Sequence, residues 1–283
     1  MSKTILWLTA GMGLVVLAAA QSAPVLNFLD RAVIRHDGHQ VTVVANDSLP
    51  LLQAIDALRL EYGWQVNWES APSYSDFDLV DDTSPKWRIA HPTEPGVTRP
   101  AGGVFTATFP EPDTSDPDAE RLAITRLVEK YNATDNPGRY VLRAEPNGQL
   151  AVIGEQVRGE TGALRRISPV LDTPITLTRA ERTVEETINL IFATLESATG
   201  KRIVFAELSH SLFINTQVNI GGEKIKAREL LEQAFASTQR PILYDLCYNA
   251  DVPAYIISTS LAMKEESDGI GGHTLVPVDR VKP

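Results

Sequence analysis

The chain has 283 residues, of which 43% are hydrophobic and 22% charged, with 18 glycines and 18 prolines. At roughly 100 to 200 residues per domain this length predicts two domains, and a composition near the globular average excludes collagen-like, coiled-coil and wholly disordered chains. A formal charge of -10 argues against nucleic acid as a partner, because a phosphate backbone needs clustered Lys and Arg.

The N-terminal segment carries one charge at Lys3, runs uncharged from Ile5 to Ala20 and ends in Ala18-Ala19-Ala20. That is the layout of a secretory signal peptide, residues 1 to 20, with Gln21 first after cleavage. The uncharged run is shorter than the ~20 residues that span a bilayer, so the expectation is a periplasmic or secreted protein with no stable membrane span. Cys247 is the single cysteine, which excludes an intrachain disulfide. Set in ILYDLCYN, it has the surroundings of a small buried hydrophobe.

Past the signal, VTVVA (41 to 45) alternates as a strand, Ser48 is placed to cap a helix carrying Leu51, Leu52, Ile55 and Leu58, and Gly63 stops it. WQVNW then sets Trp64, Val66 and Trp68 on one face of a strand. Residues 70 to 118 contain Pro72, Pro85, Pro92, Pro95, Pro100, Pro110, Pro112 and Pro117. Apart from the strand GGVFTATF (102 to 109), that density predicts a long surface loop. A helix follows around Leu122, Leu127, Val128 and Tyr131, stopped by Asn136-Pro137-Gly138. Next come RYVLRAE and LAVIGEQV, joined at Pro146-Asn147-Gly148, a strong hairpin signal.

The same order returns in the second half. ITLT (175 to 178) precedes Thr183 and Glu186, spaced as a capping box, and Val184, Ile188, Ile191 and Leu195 line one helical face before Gly200. KRIVFAEL mirrors WQVNWESA, and NTQVNIGG (215 to 222) leads to a helix bearing Ala227, Leu230, Leu231, Ala234 and Phe235. ILYDLCY turns around Asn249-Ala250-Asp251 into AYIISTS. The expected fold is therefore α+β, two tandem βαββαββ units, each with two helices packed on small sheets. The first unit spans 21 to 158 with an insertion at 70 to 118, a linker spans 159 to 174, the second unit 175 to 262, and 263 to 283 form a partly disordered tail.

The run ITLTRAERTVEETINLIFATLESATGKRIVFAEL, followed by VNIGGEKIKARELLEQAF and a terminal hairpin, resembles the short N-terminal domain shared by secretins and TonB-dependent receptors. The resemblance covers 175 to 259 and, more loosely, the first unit. It implies a periplasmic interaction module without catalytic residues, whose partner is an envelope protein or outer-membrane component.

No set of residues specifies a reaction, a cofactor or a metal. Asp76, Asp78, Asp81 and Asp82 lack the spacing, central Gly and closing Glu of a calcium loop, although two of them converging in a cleft would make a carboxylate-dependent hydrolase. His36 and His39 are too few for zinc. The aromatic residues of the insertion, Tyr74, Phe77 and Trp87, are the candidate partner-binding residues, with a small-ligand or glycan surface as the alternative. Open strand edges add a second route, because an edge accepts an extended segment through backbone hydrogen bonds.

Overall fold

The computed structural model describes residues 31 to 72, 75 to 207, 210 to 267 and 272 to 279; the expected signal segment and Tyr74 lie outside them. β1 (Val33–Asp37) and β2 (Gln40–Asp47) make a hairpin turning at Gly38. Within the His36-Asp37-Gly38-His39 run, Asp37 pairs with Gln40 and the two-residue loop is Gly38-His39, with Gly38 at φ 60° in its first position. In chain order there follow α1 (Pro50–Tyr62), β3 (Val66–Glu69), β4 (Leu79–Asp81), α2 (Pro85–Ala90), β5 (Thr98–Pro100), β6 (Gly103–Pro110), α3 (Ala119–Asn132), β7 (Arg139–Ala144) and β8 (Leu150–Arg158). The remainder comprises β9 (Leu164–Arg166), β10 (Pro174–Thr183), α4 (Val184–Thr199), β11 (Arg202–Glu207), α5 (His210–Asn215), β12 (Gln217–Lys226), α6 (Ala227–Ala236), β13 (Ile242–Asn249), β14 (Ala254–Leu261), β15 (Met263–Ser267) and β16 (His273–Pro277). The protein is α+β.

Local chemistry explains the helix ends. At α4 the Thr183 hydroxyl accepts the Glu186 N–H at 3.1 Å while the Glu186 carboxylate accepts the Thr183 N–H at 2.8 Å, the reciprocal box expected from the sequence. α1 begins differently. Ser48 does not cap it; its hydroxyl donates to Asp47, whose carboxylate also accepts the Leu49 N–H, and Pro50 occupies the first turn, where a missing N–H leaves nothing unpaired. Gly63 ends α1 in the left-handed region, at φ 74°.

β2 pairs antiparallel with β6, and β10 with β12. β3 runs parallel to β8, and β11 parallel to β14; β7 is antiparallel to β8, and β13 to β14. The last six join in one sheet of order β11-β14-β13-β3-β8-β7, to which β9 adds beside β8. Strands from both halves of the chain therefore share a sheet, and they meet where β3 and β13 run parallel through Trp68 opposite Asp245 and Glu69 opposite Leu246. Two cores lie against it. One gathers α1, α3, β2, β6 and the buried Trp64 and Trp68; the other gathers α4, α6, β10 and β12. Trp68 stacks on Tyr140 at 4.6 Å between ring centroids, which explains why the period-two aromatic strand is core and not surface.

Three irregular stretches are more ordered than their composition implies. Within 70 to 118, β4 and β5 pair and α2 packs beside them: Pro85 stands at the first turn of α2, and Pro100 on a strand of a two-stranded ribbon, both places that tolerate a missing N–H. Between 159 and 174, Val170 and Leu171 are buried in the second core and Leu164 to Arg166 pair with β8. In the tail, β15 and β16 form a hairpin, and the Gln65 side chain donates to the Asp279 carbonyl at 2.9 Å.

Candidate partner-binding surfaces

The aromatic insertion is only partly open. Phe77 is 64% exposed and Ile89 83%, with Val80 and Val97 also exposed, whereas Trp87 is half-buried and stacks on His91 at 4.7 Å. The nearby carboxylates are engaged in holding the ribbon. Asp81 accepts from Thr83 N–H and from Arg88, and these hydrogen bonds pull its carboxyl down to about 2. Asp82 pairs with Arg99 at 3.2 Å. Asp78 is buried beside Ser75, 3.7 Å from Arg158, and burial raises its carboxyl above the usual range. The far end is tied to the second half of the chain, where Asp251 accepts from the N–H and hydroxyl of Thr98 at 3.0 and 2.5 Å. Among the described residues no three or more His, Cys, Asp or Glu are grouped to hold a metal ion, and no helix is long and apolar enough to cross a membrane.

A second surface lies along β7. Among the described strands β7 pairs only with β8, so it ends the large sheet. At Tyr140 the Asn132 side chain stands in for a neighbouring strand: its amide donates to the Tyr140 carbonyl at 2.7 Å and accepts the Tyr140 N–H at 2.9 Å. Because backbone groups alternate sides along a strand, Leu142 and Ala144 present N–H and C=O in the same outward direction. Beside them is a groove of about 330 Å³, lined from α3 by Arg121, Thr125, Val128 and Glu129 and from β7 by Tyr140 and Leu142. Another concavity of about 240 Å³ shares Asn132, Tyr140 and Val141 with it.

The third feature is buried at the junction of the two halves. Arg228 on α6 holds both carboxylate oxygens of Glu69 on β3, reaches Asp172 at 3.1 Å through Nε and donates to the Tyr244 hydroxyl at 3.0 Å. The Tyr244 hydroxyl also lies 2.9 Å from Glu69 and 3.2 Å from Glu145. Asn67 donates to Glu145 at 2.6 Å and accepts the Tyr244 N–H at 3.0 Å. Arg143 bridges Asp172 and Glu155. Glu232, 4% exposed, finds no ordinary donor for either oxygen. Its carboxyl is close enough to Glu145 to share a proton with it, and burial, reinforced by that neighbouring carboxylate, pushes it up to about 9. Burial raises Glu145 as well.

No family model, curated protein or solved structure matches the chain. Of the residues singled out in the sequence, Phe77 and Trp87 lie in the insertion, and neither lines the two concavities beside β7. Of the seam residues, Glu69, Glu145 and Tyr244 each stand alone in their own segment, so the sequence does not point to them, and Arg228 and Glu232 share α6. One signal was present: Arg228 and Glu232, four apart, flank the Ala227, Leu230, Leu231 stripe of α6 on its buried side.

Proposed function

We propose that this chain is an exported, non-catalytic protein of the cell envelope that binds a protein partner by accepting an extended segment along the open edge of β7. In this reading the chain holds two copies of one βαββαββ unit. Val66, Leu150 and Ala144 pair in succession across one half of the large sheet as Ile203, Tyr255 and Tyr248 do across the other. Tyr140 then falls on Tyr244, Leu142 on Leu246, and β7 on β13. The resemblance to the short N-terminal domain of secretins and TonB-dependent receptors agrees with this arrangement and with a role in binding.

The observation that carries the reading is the edge of β13, which is filled. β3 lies beside it in parallel, and the Ser70 N–H donates to the Leu246 carbonyl at 2.7 Å. A unit of this kind accepts a strand at that edge, and β7 is the corresponding edge with a groove beside it. Exposed Phe77 and Ile89 favour the insertion as a second contact.

A random-peptide display library selected on the purified chain tests this. Enriched peptides are expected to slow amide exchange at Leu142 and Ala144 and to lose binding at least tenfold in Ala144→Lys, since a charged residue blunts a strand edge. Peptides that protect 75 to 101 instead would transfer the role to the insertion. Export has its own readout: the intact mass of the protein recovered from the soluble envelope fraction should correspond to a chain beginning at Gln21, and a full-length chain in the membrane fraction would refute it.

A further inference from the structure

From α3 to β7 the first half of the chain follows the second half, from α6 to β13, without a gap. Thr134 and Thr238 each donate a hydroxyl to the carbonyl three residues back, on Tyr131 and Phe235, at 2.7 Å. Each also accepts the N–H two residues on, from Asn136 and Arg240, at 3.2 and 3.3 Å. Tyr131 meets Tyr140 at 5.5 Å between ring centroids, as Phe235 meets Tyr244 at 6.2 Å. Carried back along the two helices, this register sets Leu127 on Leu231, Val128 on Glu232 and Ile124 on Arg228, and all six are buried.

The two edges therefore differ in what they ask of a neighbouring strand. At β13 the occupant is β3, which places Glu69 opposite Leu246 and gives its carboxylate to Arg228. At β7 the positions of Arg228 and Glu232 are taken by Ile124 and Val128, and Val128 lines the groove with Leu142. The exposed Arg121 and Glu129, one of each sign, also line it, so no net charge is present to hold a buried ion.

Resting on the reading of the chain as two copies of one unit, we propose that the β7 edge takes an extended segment of another protein, parallel to β7, with a Val, Ile or Leu opposite Leu142 and against Val128. The direction follows β3, which is parallel to β13. The start of pairing follows from Asn132, which occupies both backbone groups of Tyr140 and leaves Leu142 as the next outward position. Side chains alternate along a strand, so the neighbours of the aliphatic residue point to the other face, toward the concavity lined by Arg139, Glu155, Gln156 and Leu164. Polar residues suit them. A carboxylate in the central place, where β3 has Glu69, meets no cation and is costly to bury. The free strand at the far end of the sheet, β11, carries a bulge between Phe205 and Glu207, and an edge so interrupted is a poor partner for a second copy.

The peptides enriched from the display library, made synthetically, read this by amide exchange and binding. They are expected to share one aliphatic residue with polar residues on either side, and to slow exchange at Leu142 and Ala144. Replacing that aliphatic residue by Glu should weaken binding by about tenfold or more. In Thr125→Lys, which sets an ammonium in the groove, the difference should shrink; Glu129→Lys brings the same charge from an exposed position if Thr125→Lys melts early. A spin label on the C-terminus of the peptide should broaden Ala144 more than Arg139. Peptides that protect Leu142 and Ala144 yet bind equally well with Glu, or lie antiparallel, overturn this proposal and leave the open edge standing. Peptides that leave β7 unprotected remove both. Leu142 and Ala144 amides already protected before any peptide is added assign the edge to this chain itself, to a second copy where dilution releases them, and overturn the proposal as well.

Discussion

Arg228→Ala is expected to destabilise the protein by about 3–5 kcal/mol, the range seen when one partner of a buried ion pair is deleted and the other charge is left behind. Arg228 is the cation shared by Glu69, Asp172 and Glu145, at 3.5 Å or less, and its guanidinium is almost wholly buried. Removing it leaves those carboxylates and Glu232 facing one another with Arg143 as their remaining guanidinium. Arg228→Lys should recover only part of the loss, because an ammonium cannot hold both oxygens of Glu69 and reach Asp172 as well. Urea denaturation checks both: the midpoint is expected to fall without a change in slope. A loss below about 1 kcal/mol, typical of exposed pairs, would show that the seam does not depend on this residue.

The fold was legible where local chemistry decides it. The Thr183–Glu186 box, the left-handed Gly63 and Gly200 and the Asn147-Gly148 turn each satisfy backbone groups within a few residues, so spacing alone points to them. Proline-rich composition misled between 70 and 118, because what matters is whether each Pro stands where an N–H is needed, and Pro85 and Pro100 do not. The junction of the halves was illegible for a different reason. Glu69, Glu145 and Tyr244 are brought together by pairing between β3 and β13, 175 residues apart for the Glu69–Tyr244 hydrogen bond, and no periodicity within one segment records a contact of that range. The open edge of β7 belongs to the same class: it is defined by what does not pair with it, which only the full strand order reveals.

That junction also predicts how stability responds to pH. Five carboxyls, Glu69, Glu145, Glu155, Asp172 and Glu232, gather around two guanidinium groups, Arg143 and Arg228. In the folded chain burial raises Glu232 to about 9 and moves Glu145 in the same direction, while in the unfolded chain a glutamate titrates near 4.5. Between those values the folded state binds more protons than the unfolded state, so stability is greatest below about 4.5 from this pair and declines as pH rises toward 9. Asp172, held low, contributes the opposite trend only in acid, below its ordinary 3.8. The melting temperature is therefore expected to rise as pH is lowered from 9 to 6. Glu232→Gln replaces the proton-dependent partner with an amide that donates to Glu145 at any pH. It should flatten the dependence by up to about 1.4 kcal/mol per pH unit, the contribution of one proton, and leave the variant more stable than the wild type at pH 8.5. If wild type and Glu232→Gln keep the same pH slope from 6 to 9, the shared proton is not what balances the seam, and the surplus of carboxylates must be compensated elsewhere.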